Sequence, residues 1–170
     1  MEKLKTISER LQMLALAFIV LTPCAVALSA GTGAWAELLN IPQGIPLDMK
    51  QINGIGLLAV LVLGSIKPLV YMVSFYLLYK LLGLYKMGII FTAKNVAGIR
   101  KIGWALVAID IAGMLQTLIA GPVLTLFHIT PGHISLRLEV SFLIVGLFIV
   151  LIAYVMDIGR ELKEQDSLVI

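Results

Sequence analysis

Two ionisable residues stand inside runs otherwise suited to lipid: Lys67 in an apolar stretch over residues 55–82, and Asp110 in one over residues 102–126. A lone charge in hydrocarbon costs at least a few kcal/mol, so each is a functional candidate whose partner must be named. Measured along a helix, Lys67 lies about 18 Å from the start of its run and Asp110 about 12 Å from the start of its own. Entered from opposite sides, the two depths add to about 30 Å, the thickness of a hydrocarbon core. This predicts a Lys67–Asp110 ion pair or hydrogen bond near the midplane, which either fixes helix register or serves transport or a proton relay. Pro68 removes a backbone hydrogen bond beside Lys67, and Gly64-Ser65 loosens the same turn. The second helix is therefore expected to kink or open where transporters place substrate.

Weaker constellations flank these runs. His128 and His133 share a short loop, with Glu139 and Glu37 as acidic neighbours, a set that could hold a metal ion or sense protons. Loop histidines exposed to water are the plainer reading, and haem ligation would need histidines within spans, where none stands. Lys86, Lys94, Arg100 and Lys101 form the most basic stretch, and Asp157, Glu161, Glu164 and Asp166 an acidic tail. The two can dock on each other, or the basic stretch can hold anionic lipid headgroups. No phosphate-binding glycine loop, nucleophile elbow or catalytic carboxylate pair is present, so an enzyme is not expected and neither is a resident metal or cofactor.

The elements that position these groups follow from composition. Of 170 residues 60% are hydrophobic and 14% charged, a balance that a water-soluble domain does not reach. The chain reads as an all-α integral membrane protein, a four-helix transmembrane bundle with spans at about residues 11–29, 55–82, 102–126 and 138–156. Outer loops cover 30–54 and 127–137, a basic loop 83–101, and an acidic tail 157–170. Thr92 is a fair N-cap for the helix feeding the third span. The start imitates a secretory signal, with Ala27-Leu28-Ser29-Ala30 as a cleavage site, but its apolar stretch exceeds a usual signal core, so an uncleaved first helix is expected. Cys24 follows Pro23 where a lipoprotein motif wants a small residue, and as a single cysteine it forms no internal disulfide.

Of the thirteen Lys and Arg residues, ten flank the side that holds both termini, Lys50 and Arg137 lie on the other, and Lys67 is within a span. Positive charge collects on the cytoplasmic side, which predicts cytoplasmic N and C termini. The net charge of +3 does not read as nucleic-acid binding.

The run Gly88-Ile89-Ile90-Phe91-Thr92, with Asn95-Val96 and then Ile99-Arg100-Lys101-Ile102-Gly103, resembles an uncharacterised family of small bacterial four-helix membrane proteins, domain of unknown function family 2975. Leu143-Ile144-Val145-Gly146-Leu147 and the ending from Glu161 to Ile170 look like that family's fourth helix and closing tail. Val169 departs from the usual threonine there. The resemblance covers the second half of the chain closely and the first half by helix layout. It implies a bacterial inner-membrane protein, often encoded beside a small helix-turn-helix regulator, and carries over no catalytic residue. Two functions are weighed: a non-enzymatic sensing or partner-binding module acting on a protein partner or a second copy, and a small transporter subunit using Lys67, Asp110 and Pro68.

Overall fold

In a computed structural model, residues 2–41, 45, 48, 54–89, 92–132 and 137–166 are described. They form α1 (Glu2–Thr32), α2 (Trp35–Leu38), α3 (Gly54–Lys86), α4 (Ala93–Leu126) and α5 (Ser141–Asp166). All but α2 are long and apolar enough to cross a membrane, so the fold is an all-helical, four-span membrane architecture. The helices run on beyond their apolar stretches into flanking charged residues through continued backbone hydrogen bonding, except that α5 begins at Ser141, three residues inside the expected 138–156 span. α4 begins at Ala93, and α3 and α4 run unbroken through Pro68 and Pro122. Of the expected kink or opening at Pro68, the opening is corrected, since the helix continues through it in spite of the missing N–H.

The helices pack in a row, α1 on α3, α3 on α4 and α4 on α5. Among the described residues α1 makes no backbone approach to α4 or α5. Neighbours run antiparallel. Phe18 stacks on Phe75 at 4.9 Å, the Gln12 amide donates to the Tyr79 carbonyl at 3.4 Å, and Glu9 pairs with Lys86 at 3.2 Å. α4 and α5 come closest where Gly103 meets Gly146, each so near the other's backbone that neither has room for a Cβ. Small residues at such crossings let membrane helices gain dispersion contacts along their backbones.

α5 is the short member. Its first turn lies against Asp110, whereas α4 continues past Asp110 for about 24 Å and α3 extends about 20 Å beyond Lys67. On this projecting pair sits the fully buried core of Leu39, Ile41, Val60, Leu63, Ala120, Leu124 and Ile129, with α2 as its lid. Gly64 admits the lid, since a Cβ there would meet Leu38 at 2.7 Å.

Helix ends follow one pattern. After α3, the Ile89 and Gly88 N–H groups donate to the carbonyls of Leu84 and Tyr85, with Gly88 at φ 74°. This double bond closes a helix through a left-handed residue. α4 ends identically on His128 at φ 57°, its Ile129 and His128 N–H groups donating to Leu124 and Thr125. Asn40, at φ 55°, closes α2 in the same way. At the start of α4, Thr92 has extended backbone geometry, but its hydroxyl makes no capping bond and is buried without a partner among the described residues.

His128 thus occupies a backbone position that suits glycine, where a side chain costs roughly 1 kcal/mol. His128→Gly is expected to leave the thermal midpoint unchanged or raise it, and His128→Val to lower it, as a melt of the purified protein would show. A ligand role for His128 would instead make both variants lose the ligand's stabilising effect.

Candidate functional site

Lys67 reaches its level on α3 beside Gly113 of α4, whose ideal Cβ would lie 3.4 Å from the lysine Cε. Asp110 is one turn away on α4, so the two charges are close to level, as the spacing predicts. They do not bond. Lys67 Nζ donates to Glu139 Oε2 at 2.6 Å, and Asp110 Oδ2 accepts from the Leu143 N–H at 2.8 Å. The Lys67–Asp110 pair is therefore corrected to two separate partnerships.

The physical reason lies in the short α5. Leu143 is the third residue of that helix, where N–H groups have no partner within the helix and the dipole favours an anion. Asp110 is fully buried and supplies a carboxylate cap from the neighbouring helix. Lys67 then takes the acid in the non-helical stretch leading into α5, which anchors residues 137–140 against α3. Glu139 also meets Arg137 Nε at 3.4 Å, and Arg137 Nη1 donates to Asn40 Oδ1 at 3.2 Å. One polar chain, Lys67–Glu139–Arg137–Asn40, thereby ties α3, the lead into α5 and the end of α2.

Glu139 stands outside the spanning helices. The hydrogen bond from Lys67 holds its carboxyl below the ordinary value, partial burial opposes this, and the Lys67 and Arg137 charges reinforce it. A depressed carboxyl stabilises the fold above its ordinary range and loses that effect as pH falls through the folded value.

All four spans run side by side from the level of Lys67 to that of Lys86, a layer about 28 Å deep by helical rise. The polar chain marks the far rim of this layer instead of its middle. Beside it, between α1 and α3, lies an open cavity of about 440 Å³ whose lining includes Lys67, Asn40, Glu37 and Tyr71 at one end and Phe18 and Phe75 at the other.

A model of the family described as "Protein of unknown function (DUF2975)" matches residues 8–170. The chain belongs to this family. The DUF2975 match takes in α1 from residue 8 onward, α2 and α3 as well as the second half, where the sequence resemblance was densest. Gly88, which opens the recognisable DUF2975 run, is the left-handed closure of α3, and Gly103 and Gly146 form the α4–α5 crossing. No curated protein and no solved structure matches the chain.

The remaining sequence candidates fall apart in space. His128 is exposed, Glu139 is held by Lys67 and Arg137, and His133 lies outside the described residues. Among the described residues no three metal-ligating side chains gather. In the basic stretch, Lys86 pairs with Glu9 and Arg100 stacks over Tyr154, while Lys94 and Lys101 are exposed without an ion pair among the described residues. In the tail, Asp157 and Glu164 close on Arg160 of their own helix at 3.3 and 2.6 Å. Glu161 is exposed, and the side chain of Asp166 is outside the described set. Glu139, Arg137 and Asn40 are the site residues that the sequence reading did not place there. The signal for Glu139 was its position at the head of an apolar run, where a nearby intramembrane cation can reach it.

Proposed function

We propose that this DUF2975 chain is a non-enzymatic module of the bacterial inner membrane, with both termini cytoplasmic, that docks a protein partner on the projecting end of α5. The observation that carries this is an uncovered apolar stripe on a charged helix. α5 continues beyond Tyr154 through Asp157, Arg160, Glu161, Lys163 and Glu164, and on that same stretch Ile158 and Leu162 are each 58% exposed. Within the spans exposed aliphatics face lipid, but a helix carrying this density of charge lies at or beyond the headgroups. Two aliphatic side chains four residues apart stand on one helix face, the form in which amphipathic helices enter apolar grooves. The acidic residues alongside favour a groove rimmed by basic groups. The excess of Lys and Arg at the termini end supports the cytoplasmic assignment. The transporter alternative drew on a Lys67–Asp110 pair at a proline-kinked helix, and it loses support because the two charges take separate partners.

Quantitative pull-down from native membranes tests the reading. The wild-type chain is expected to retain one protein at near-stoichiometric yield, and Ile158→Asp with Leu162→Asp to lose it at least tenfold while melting at the same temperature. Equal retention by the double variant, or no stoichiometric companion of the wild type, overturns it.

A further inference from the structure

We infer that the cavity between α1 and α3 is a binding site for one phospholipid with a zwitterionic, primary-amine headgroup. The cavity holds both signs of charge at one end and hydrocarbon at the other, which is the pattern of such an amphiphile. Lys67 has three N–H donors and uses one on Glu139. Asn40 gives its carbonyl oxygen to Arg137, while its Nδ2 is buried and has no acceptor among the described residues. Lys67 and Asn40 both line the cavity, and the Lys67 ammonium offers its remaining donors for a phosphate oxygen. Glu37 lines the same end and has no ion pair among the described residues, leaving a carboxylate for a cation. A primary ammonium donates charge-assisted hydrogen bonds to that carboxylate, whereas a quaternary amine has no N–H to donate. An anionic headgroup without an amine would set its negative charge beside Glu37 uncompensated.

The apolar end fits the first part of an acyl chain. The Phe18–Phe75 stack closes it, and Ala25 and Val26 of α1 with Pro68 of α3 line its walls. A volume of about 440 Å³ lies at the lower end of small-ligand sites and admits a headgroup and the start of one chain, so the rest of the lipid stays in the bilayer. The site opens sideways because α1 packs on α3 alone among the spans, which gives the lipid a lateral entry.

The test uses the full chain, delipidated in detergent and titrated separately with phosphatidylethanolamine, phosphatidylglycerol and phosphatidylcholine, with bound lipid counted by native mass spectrometry. One phosphatidylethanolamine is expected to bind at least fivefold more tightly than either of the others. Glu37→Gln is expected to erase this preference, and Ala25→Trp, which fills the apolar end without touching the charged one, to weaken binding of all three. Neither change touches the Lys67–Glu139 clamp, so both variants should melt like the wild type. Equal binding of the three lipids by the wild type, a preference for phosphatidylglycerol, or unchanged binding by Ala25→Trp overturns the inference.

Discussion

Replacing Gly146 by alanine, a change of one methyl group, is expected to destabilise the protein by about 1–3 kcal/mol through overpacking. A Cβ at Gly146 would stand 2.6 Å from the Gly103 carbonyl oxygen and 2.9 Å from the Val107 nitrogen. Both are backbone atoms, so no side-chain rotation relieves the contact and the helices must part. Gly103→Ala should behave alike, its Cβ meeting the Gly146 carbonyl oxygen at 2.8 Å and the Val150 nitrogen at 3.0 Å. The two variants share one contact, so their combination should cost less than the sum of the single changes.

Gly159 supplies the control on the same helix. Nothing lies within 4 Å of a Cβ there, and alanine is the better helix former by up to about 1 kcal/mol. Gly159→Ala should therefore melt at or above the wild-type temperature while Gly146→Ala melts well below it. Equal melting of the two would remove the crossing as the main contact between α4 and α5. The consequence reaches the polar site, because parting α5 from α4 also withdraws the Leu143 N–H from Asp110.

How far the sequence foretold this arrangement depends on the residue. Four spans and a level pair of intramembrane charges were readable, because hydropathy and helical rise are properties of single segments. The partner of Lys67 was not. It depends on where α5 begins relative to α4, and an apolar run starting at Leu138 looks helical from its first residue. In the fold, the helix begins only at Ser141, and residues 138–140 ahead of it leave Glu139 against Lys67 of α3. Gly88 could be read as a helix stop from its type alone. His128 and Asn40 perform the same backbone task without glycine, so residue type gave little sign of it. The four-residue α2 had no local signature either, since its seat is supplied by the absent side chain of Gly64 and by the Gln116 amide, which donates to the Leu38 carbonyl at 2.8 Å.

The second large effect should appear as coupling between Lys67 and Glu139. Single changes Lys67→Met and Glu139→Gln, with their combination, form a cycle whose expected interaction free energy lies within the range of about 0.5–3 kcal/mol for contacting groups. Removing one partner of a fully buried pair costs about 3–5 kcal/mol. The lower figure applies because the side chains of Lys67 and Glu139 remain 17% and 32% exposed. The parallel cycle of Lys67→Met with Asp110→Asn should give less than about 0.5 kcal/mol, as expected of groups that share no bond. The reverse order of the two couplings would restore the pairing that the sequence suggests.

Asp110 should show a separate signature. Asp110→Ala removes the carboxylate from the first turn of α5, a loss of about 1–2 kcal/mol, and should speed hydrogen exchange at the Leu143 amide. Lys67→Met should not speed exchange there. The pH dependence assigns the acids further. Because the Glu139 carboxyl is held below its ordinary 4.5, the Lys67–Glu139 coupling should be complete above that pH and fade as pH falls through the lower, folded value. Glu139→Gln should remove that part of the acid sensitivity. A lysine held by a titrating acid at the rim of the spans, and an aspartate spent on capping a neighbouring helix, make this polar layer a clamp on the entry of α5. Loosening Lys67 should then free residues 137–140, and loosening Asp110 the first turn of α5, in neither case unfolding α1 and α3, which share no backbone contact with α5.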